Sequence, residues 1–335
     1  FRINRTHVWL SFKLFFINPG MYFQIKHDRP DIIHTVGVRS FQSFIAAVIS
    51  KKFKIPFIAV AGSNGKTTTK EMISAVLQSK YNVLNTKGNL NNHIGVPQTL
   101  FRLNEKHDVA VVEIGTNHFG ELKYLCEILE PTHGVITNIG HEHLEFFKNL
   151  TGVAKAEGEL FSALRKNGVG FVNGDDPLVV RQSKKLNKKT VYGFSRKNVQ
   201  LRGRYKSVDE NGCASFSVSQ KSKKPFNVTL SVPGDHAMMN AMSAVAIGTA
   251  LKVPAHKIQK SLKNFRAVSK RMEVLTAGGV KILNDTYNAN TDSVFSALQT
   301  LSMMSCSGKK IVILGDMLEL GKASKQQHEI GRAHV

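Results

Sequence analysis

The residues best placed to do chemistry lie in 57–71, FIAVAGSNGKTTTKE, where an apolar, β-rich run breaks into a glycine-flanked turn followed by Lys-Thr-Thr. Such a turn is suited to gripping phosphate. Gly62 and Gly65 let the backbone bend so that the N–H groups around Ser63 and Asn64 converge on phosphate oxygens, and a helix starting near Lys66 turns its positive end toward the same anion. Lys66 would reach the β- and γ-phosphates, and the hydroxyl of Thr67, with Thr68 beside it, would serve Mg2+. The strict pattern G-x-x-x-x-G-K-[ST] is broken once, at Val60. A plain Gly-Asn turn before a basic helix end is the alternative, and the strand-turn-helix context argues against it.

A phosphate loop binds a nucleotide and performs no reaction by itself. Two further groups stand at the carboxyl ends of expected strands, where a metal-nucleotide site would be built: Glu113 in VVEIGTNHFGE and His143 in TNIGHEHLE. Either alone reads as a surface residue; together with the upstream loop they read as candidate Mg2+ ligands. Lys155, in AKAEGELF, reads from its chemistry alone as a solvated helix lysine.

The elements that must position these groups follow from the apolar pattern. From Ile55 onward, strand-length runs (FIAVA, VAVVEIG, HGVITNIG, GVGFVNG) alternate with polar or helical segments, which predicts βαβ units and a parallel sheet covered on both faces. Helices are expected over 66–80, over 152–166 with Val153, Leu160, Phe161 and Leu164 facing a core, over 236–251 and over 255–265. Between about 190 and 232 the runs TVYGF, ASFSVSQ and FNVTLSV alternate, with turn residues between them, and predict an antiparallel insert at the sheet edge. After Arg271, GVKILNDTYNAN and KKIVILGDMLELG read as two strands with polar loops at their carboxyl ends, the opening of a Rossmann-like unit. The fold class is therefore α/β, with three expected parts: 1–54, 55–271 and 272–335.

The 335 residues suffice for two or three domains, and 42% hydrophobic residues describe a globular composition rather than a disordered or membrane one. The formal charge of +22 would ordinarily raise nucleic acid as a partner. Its lysines are dispersed, however, and no basic patch is interleaved with aromatic residues that could stack bases. Cys126, Cys213 and Cys306 are widely spaced and form no CxxC pair, which argues for a reducing, cytoplasmic setting and against zinc. The opening FRINRTHVWLSFKLFFINPG imitates a secretory leader but is too short to span a bilayer, and no membrane association is expected. The missing initiator Met and the ending GRAHV lead to the expectation of a fragment.

The ordered set GSNGKTTTKE, NLNNHIGVPQTL, EIGTNHFGE, TNIGHEHLE, VAKAEGELF, PGDHAMMNAMSA, KRMEV, NDTYNAN and LGDMLELG resembles the Mur ligases over about residues 36–333. TTTKE, NLNNxIGVP, YNAN and GDMLELG favour the member that joins D-alanyl-D-alanine to UDP-N-acetylmuramoyl-tripeptide in peptidoglycan precursor synthesis. The resemblance implies an ATP-dependent, ADP-forming amide synthesis through an acyl phosphate, carried out by a cytoplasmic monomer on small-molecule substrates. A sibling Mur ligase, folylpolyglutamate synthase or a non-catalytic nucleotide-binding remnant is the alternative.

Residue by residue, the resemblance implies ATP phosphates on Lys66 and Thr67, Mg2+ on Glu113 and His143, and a lysine carbamylated by CO2 at Lys155, whose carbamate would give a hard cation an oxygen donor. Asn240 would contact adenine, Arg271 the phosphates and Asp285 the ribose. Asn288, Asn290, Asp316 and Glu319 would receive the dipeptide, and Asn89, Asn91 and Asn92 would face the UDP-linked substrate. Ala237 and Thr291 depart from the residues usual at their positions. On this resemblance the N-terminal domain that grips the UDP moiety is not recognisable before about residue 36, and most of the C-terminal domain is expected to be missing from these residues.

Overall fold

The computed structural model describes residues 39–320 and 324–329. The leader-like opening of the chain lies outside the described residues. Among the described residues no helix is long and apolar enough to cross a membrane.

The first half of the chain alternates strands and helices: α1 (Arg39–Lys52), β1 (Phe57–Ala61), α2 (Lys66–Gln78), β2 (Val83–Asn85), α3 (Gly95–Phe101), β3 (Val109–Glu113), α4 (Glu121–Leu129) and β4 (His133–Ile136). Three short helices follow, α5 (Leu144–Phe147), α6 (Leu150–Glu157) and α7 (Glu159–Ser162), then β5 (Val169–Asn173), α8 (Pro177–Gln182) and β6 (Lys189–Gly193). A meander β7 (Leu201–Val208), β8 (Cys213–Gln220) and β9 (Lys223–Pro233) leads into α9 (Asp235–Ala250) and α10 (Ala255–Asn264). The chain goes on through β10 (Glu273–Ala277), β11 (Val280–Asn284), α11 (Thr291–Met303) and α12 (Ser324–Glu329).

β1 is apolar throughout because both of its faces are covered. Its period of two divides the core. Ile58 and Val60 pack with Met72 and Val76 of α2 and Val245 of α9, while Phe57 and Ala59 pack with Val96 of α3 and Leu125 of α4. Each such fully buried aliphatic side chain contributes roughly 1.5–3 kcal/mol. α1 belongs to the second of these cores: Ala46 is fully buried in it and the Ser50 hydroxyl donates to the Ile128 carbonyl at 2.9 Å. Packing thus places α1 with the central sheet, on the far side of the boundary expected at residue 54.

Nine strands form one sheet in the order β2-β3-β1-β4-β5-β6-β7-β8-β9. Pairing is parallel from β2 to β7 and antiparallel from β7 to β9. The expected antiparallel insert therefore excludes TVYGF, which is β6 and runs parallel to β5 and β7. β1 lies between β3 and β4, a point where successive connections leave in opposite directions and a crevice opens. Register sets Val60 beside Glu113 and Ala61 beside Ile136. The phosphate loop, Glu113 and the segment after Ile136 consequently leave the same sheet edge together.

Two further expectations need correction. The helix expected over 152–166 breaks at Gly158 into α6 and α7, and the break lets Glu159 accept hydrogen bonds from the N–H groups of Gly120 (2.7 Å) and Lys123 (3.1 Å) at the start of α4. KKIVILG forms no strand, and its Ile311 and Ile313 are 77% and 94% exposed. A strand needs a neighbour to take its ladder, and among the described residues no strand lies alongside this segment; β11 pairs with β10 alone.

Candidate functional site

The loop after β1 is shaped by two glycines. Gly62 has φ +115° and Gly65 φ +79°, and a Cβ on Gly62 would run into the Thr137 side chain. Gly65 caps α2 in the left-handed conformation, with the Asn240 amide packed against it where a Cβ would stand. The Thr137–Gly140 segment is stitched to the loop: Ser63 N–H donates to the Asn138 carbonyl (3.0 Å), Asn64 N–H to Asn138 Oδ1 (3.0 Å), and the Thr137 hydroxyl to the Asn64 carbonyl (2.7 Å). This backbone is fixed in place before any ligand arrives, as an anion nest requires.

Lys66 folds back over the loop, donating from Nζ to the carbonyls of Gly62 (2.5 Å) and Ser63 (3.0 Å) and pairing with Glu142 at 3.3 Å. Three buried carboxylates surround it. Glu113 and Glu157 are each 1% exposed and Glu142 8%. Burial by itself would lower the Lys66 pKa, but Glu142, Glu157 and Glu113 outweigh it and hold the ammonium above its ordinary value. Glu157 accepts the Gly62 N–H at 2.7 Å, and burial followed by the nearby Glu142 pushes its carboxyl up to about 8. Glu113 is oriented by Asn91, which donates from Nδ2 to Oε1 at 2.9 Å.

The C-terminal segment forms the facing wall of a cleft of about 850 Å3. The Arg271 guanidinium lies 3.7 Å from the centre of the Tyr287 ring. Asp285 accepts the Met272 N–H at 3.0 Å; its burial raises its carboxyl, against the opposing effects of that bond and of Arg271. Asn290 starts α11 as a capping box with Ser293 and also donates to Asn64 Oδ1 at 2.7 Å. Asp292 takes the His141 N–H at 2.7 Å and faces its ring at 3.1 Å. His143, itself left-handed at φ 47°, pairs through Nδ1 with the Glu319 carboxylate.

The cleft thus gathers Ser63 through Thr68, Glu113, His143, Asn240, Arg271 and Asp285, with Asn89, Asn91, Asn288, Asn290 and Glu319 along its rim. Gly62 stands one layer behind. Three more expected residues do not line it. Lys155 is exposed on α6, with Nζ 5.4 Å above the Phe119 ring. Asn92 is also exposed and caps the start of α3, accepting from Ile94 and Gly95 N–H at 3.0 Å each. Asp316 is exposed on the segment that forms no strand. Sequence reasoning missed Asn138, His141, Glu142, Glu157 and Asp292. Glu142 and Glu157 stood inside quoted motifs, beside the residues chosen in their place, and only depth in the fold separates the two sets.

The donors fit a hard cation. Thr67 Oγ1, Glu113 Oε2 and Glu142 Oε1 are buried with no N–H or hydroxyl donor, and all three are oxygens. Among the described residues no three His, Cys, Asp or Glu side chains converge tightly enough to hold a metal alone. That pattern suits Mg2+, which takes one or two protein oxygens and completes its shell with phosphate and water.

Comparison with known proteins gives the same outline. The Mur ligase middle domain matches residues 60–248, and the Mur ligase glutamate ligase domain matches 270–333. The UDP-N-acetylmuramoyl-tripeptide--D-alanyl-D-alanine ligase of Escherichia coli is 35% identical over 86% of this chain and 64% of its own length. The Bacillus subtilis enzyme of the same name is 37% identical over 81% of this chain and 58% of its own. The chain therefore spans less than two thirds of these relatives. Among solved structures, MurF of Acinetobacter baumannii superposes with a TM-score of 0.82 at 31% identity, covering 90% of this chain and 66% of that one. MurF of Thermotoga maritima in complex with ADP gives 0.79 at 25% identity, covering 90% and 70%. Since the middle-domain match alone takes in more than half of the sequence, from β1 through the phosphate loop and Glu113 to Asn240 on α9, the chain belongs to the Mur ligase family.

Proposed function

We propose that this chain carries the nucleotide site of an ATP-dependent ligase joining D-alanyl-D-alanine to UDP-N-acetylmuramoyl-tripeptide. The observation that carries the reading is the cleft itself. A pre-shaped phosphate loop with a half-buried lysine lies on one wall, Arg271 and Asp285 lie on the other, and carboxylate and hydroxyl oxygens without a donor lie between them. The names of the relatives supply the substrates, and the ADP complex of Thermotoga maritima MurF supplies the nucleotide.

In this reading the loop N–H groups and Lys66 hold the β- and γ-phosphates, with Lys66 exchanging Glu142 and the loop carbonyls for phosphate oxygens. Thr67 and Glu113 would hold Mg2+, which when bound neutralises charge on the transferring phosphoryl group. Arg271 reaches the phosphates from the facing wall, Asp285 the ribose, and Asn240 the nucleoside beside Gly65. The tripeptide carboxylate attacks the γ-phosphorus and ADP leaves; the dipeptide amine then adds to the acyl carbon of the acyl phosphate, phosphate departs, and the amine proton is lost to give the amide. Because both walls must meet around the reactants, the clasp of α11 onto the loop fixes their approach.

The test is ADP release from ATP and Mg2+ with UDP-N-acetylmuramoyl-tripeptide, comparing D-Ala-D-Ala with diaminopimelate, lysine and glutamate on suitable acceptors. Release dependent on D-Ala-D-Ala is expected. Release with another amine would move the chain to a sibling ligase, and tight ATP binding without release under any amine would leave a nucleotide-binding module.

A further inference from the structure

Helix α6 can turn only one of Lys155 and Glu157 toward the phosphate loop, since residues two apart in a helix point about 200° away from each other. It turns Glu157. Lys155 is exposed above Phe119, whereas Glu157 is 1% exposed and bonded to Gly62. We propose that Glu157 is the positioning residue through which α6 supplies a carboxyl group to a magnesium-nucleotide site, acting by way of Gly62, Glu142 and Lys66, and that Lys155 takes no part. The inference rests on the nucleotide-site reading given above.

A loop anchor alone would not call for this carboxylate. One acceptor oxygen suffices for the Gly62 N–H, and a neutral glutamine would provide it without burying a potential charge. Instead Oε1 of Glu157 and Oε1 of the neighbouring Glu142 find no N–H or hydroxyl donor, and the two carboxyls bond to each other through the proton that Glu157 keeps. Three carboxylates, Glu113, Glu142 and Glu157, thus converge electrostatically on the single ammonium of Lys66. So many buried carboxyls around one ammonium cannot all be charged unless a further cation joins them. When Lys66 turns to phosphate, Glu142 loses its ion pair, and the cation that remains to balance it is the metal carried by the nucleotide. Glu157, fixed by its Gly62 bond, keeps the loop and Glu142 in place for that exchange. Because the carboxyl is a side chain of the chain itself, the site needs no CO2.

The experiment measures ADP affinity calorimetrically, in EDTA and in Mg2+, for the wild type, Glu157→Gln and Lys155→Ala, with thermal unfolding of each as a check on folding. Glutamine keeps an acceptor for Gly62 and removes the carboxyl that could ionise beside a metal, so a purely structural role would leave the Mg2+-dependent gain intact. The expected result is a gain reduced by about tenfold in Glu157→Gln, the range for residues that support a metal's ligands, and unchanged in Lys155→Ala. A full gain in Glu157→Gln would overturn the proposal. A wild-type arm requires no variant to fold: Mn2+-ADP binding followed by electron paramagnetic resonance, in bicarbonate-stripped and bicarbonate-supplemented buffer. Equal affinities are expected, and tightening by bicarbonate would return the anion to a carbamylated lysine. Wild-type ADP binding in EDTA reports the nucleotide site separately; its absence would sink that reading and this inference with it.

Discussion

Asn290 Nδ2 donates to Asn64 Oδ1 at 2.7 Å across 226 residues of sequence, joining the cap of α11 to the phosphate loop. The same side chain accepts the Ser293 N–H at 2.9 Å, so one amide both starts a helix and holds two parts of the chain together. Asp292 reinforces the join through the His141 N–H.

The two roles of Asn290 can be separated. Asn290→Asp keeps an acceptor for the Ser293 N–H but loses the donor to Asn64, so unfolding by urea should be nearly unchanged while ADP binding weakens several-fold. Asn290→Ala loses both, and should also cost about 1 kcal/mol for the missing cap. Equal ADP affinity in the wild type and Asn290→Asp would show that the clasp does not help shape the nucleotide site.

Gly62→Ala should be among the most damaging small substitutions in the chain. Its φ of +115° is closed to a residue with a Cβ, and the Thr137 side chain already occupies the place of that Cβ. A loss of about 2 kcal/mol or more is expected. Urea unfolding should show a lower midpoint with an unchanged slope; an unaltered midpoint would mean that the loop can relax away from Thr137.

How far the site was legible in sequence depends on what each residue answers to. Lys66, Thr67 and Gly65 are fixed by local chain geometry, a strand, a tight turn and a helix start, and local pattern reveals such things. Glu113 was legible because β3 is an unbroken buried run ending on a charge. Glu157 was not, since AKAEGELF offers Lys155, Glu157 and Glu159 at similar spacing, and which of them faces the loop depends on how α6 lies against the sheet. Asn92 and Asn91 are adjacent and chemically alike, yet one caps α3 and the other orients Glu113. The strand expected at KKIVILG failed for a different reason: its composition suits a sheet, but pairing is a property of neighbours and not of the segment.

Lys66→Ala should abolish ADP release and leave a folded protein. It also strands the Glu142 carboxylate, which is 8% exposed and already has one oxygen without an N–H or hydroxyl donor. Removing one member of a buried pair costs about 3 kcal/mol, most of it the penalty of the charge left behind. Adding Glu142→Gln to Lys66→Ala should recover much of that stability and none of the turnover. A double-mutant cycle in urea checks the coupling; strict additivity would show that the 3.3 Å pair contributes nothing to the fold.

The pH dependence of stability should carry the mark of Glu157. Its carboxyl is raised from an ordinary 4.5 to about 8, so across that interval the folded chain keeps a proton that the unfolded chain has released. The stabilisation is therefore complete below the unfolded value and is lost as pH rises toward and through the folded one, at up to about 1.4 kcal/mol per pH unit. Unfolding free energies measured at intervals from pH 5 to pH 9 in EDTA should fall with this sign in the wild type. Glu157→Gln holds an amide where the wild type holds a protonated acid, so it should match the wild type at the acid end and become the more stable chain at the alkaline end. Parallel curves for the two proteins would show that Glu157 does not carry the pH dependence.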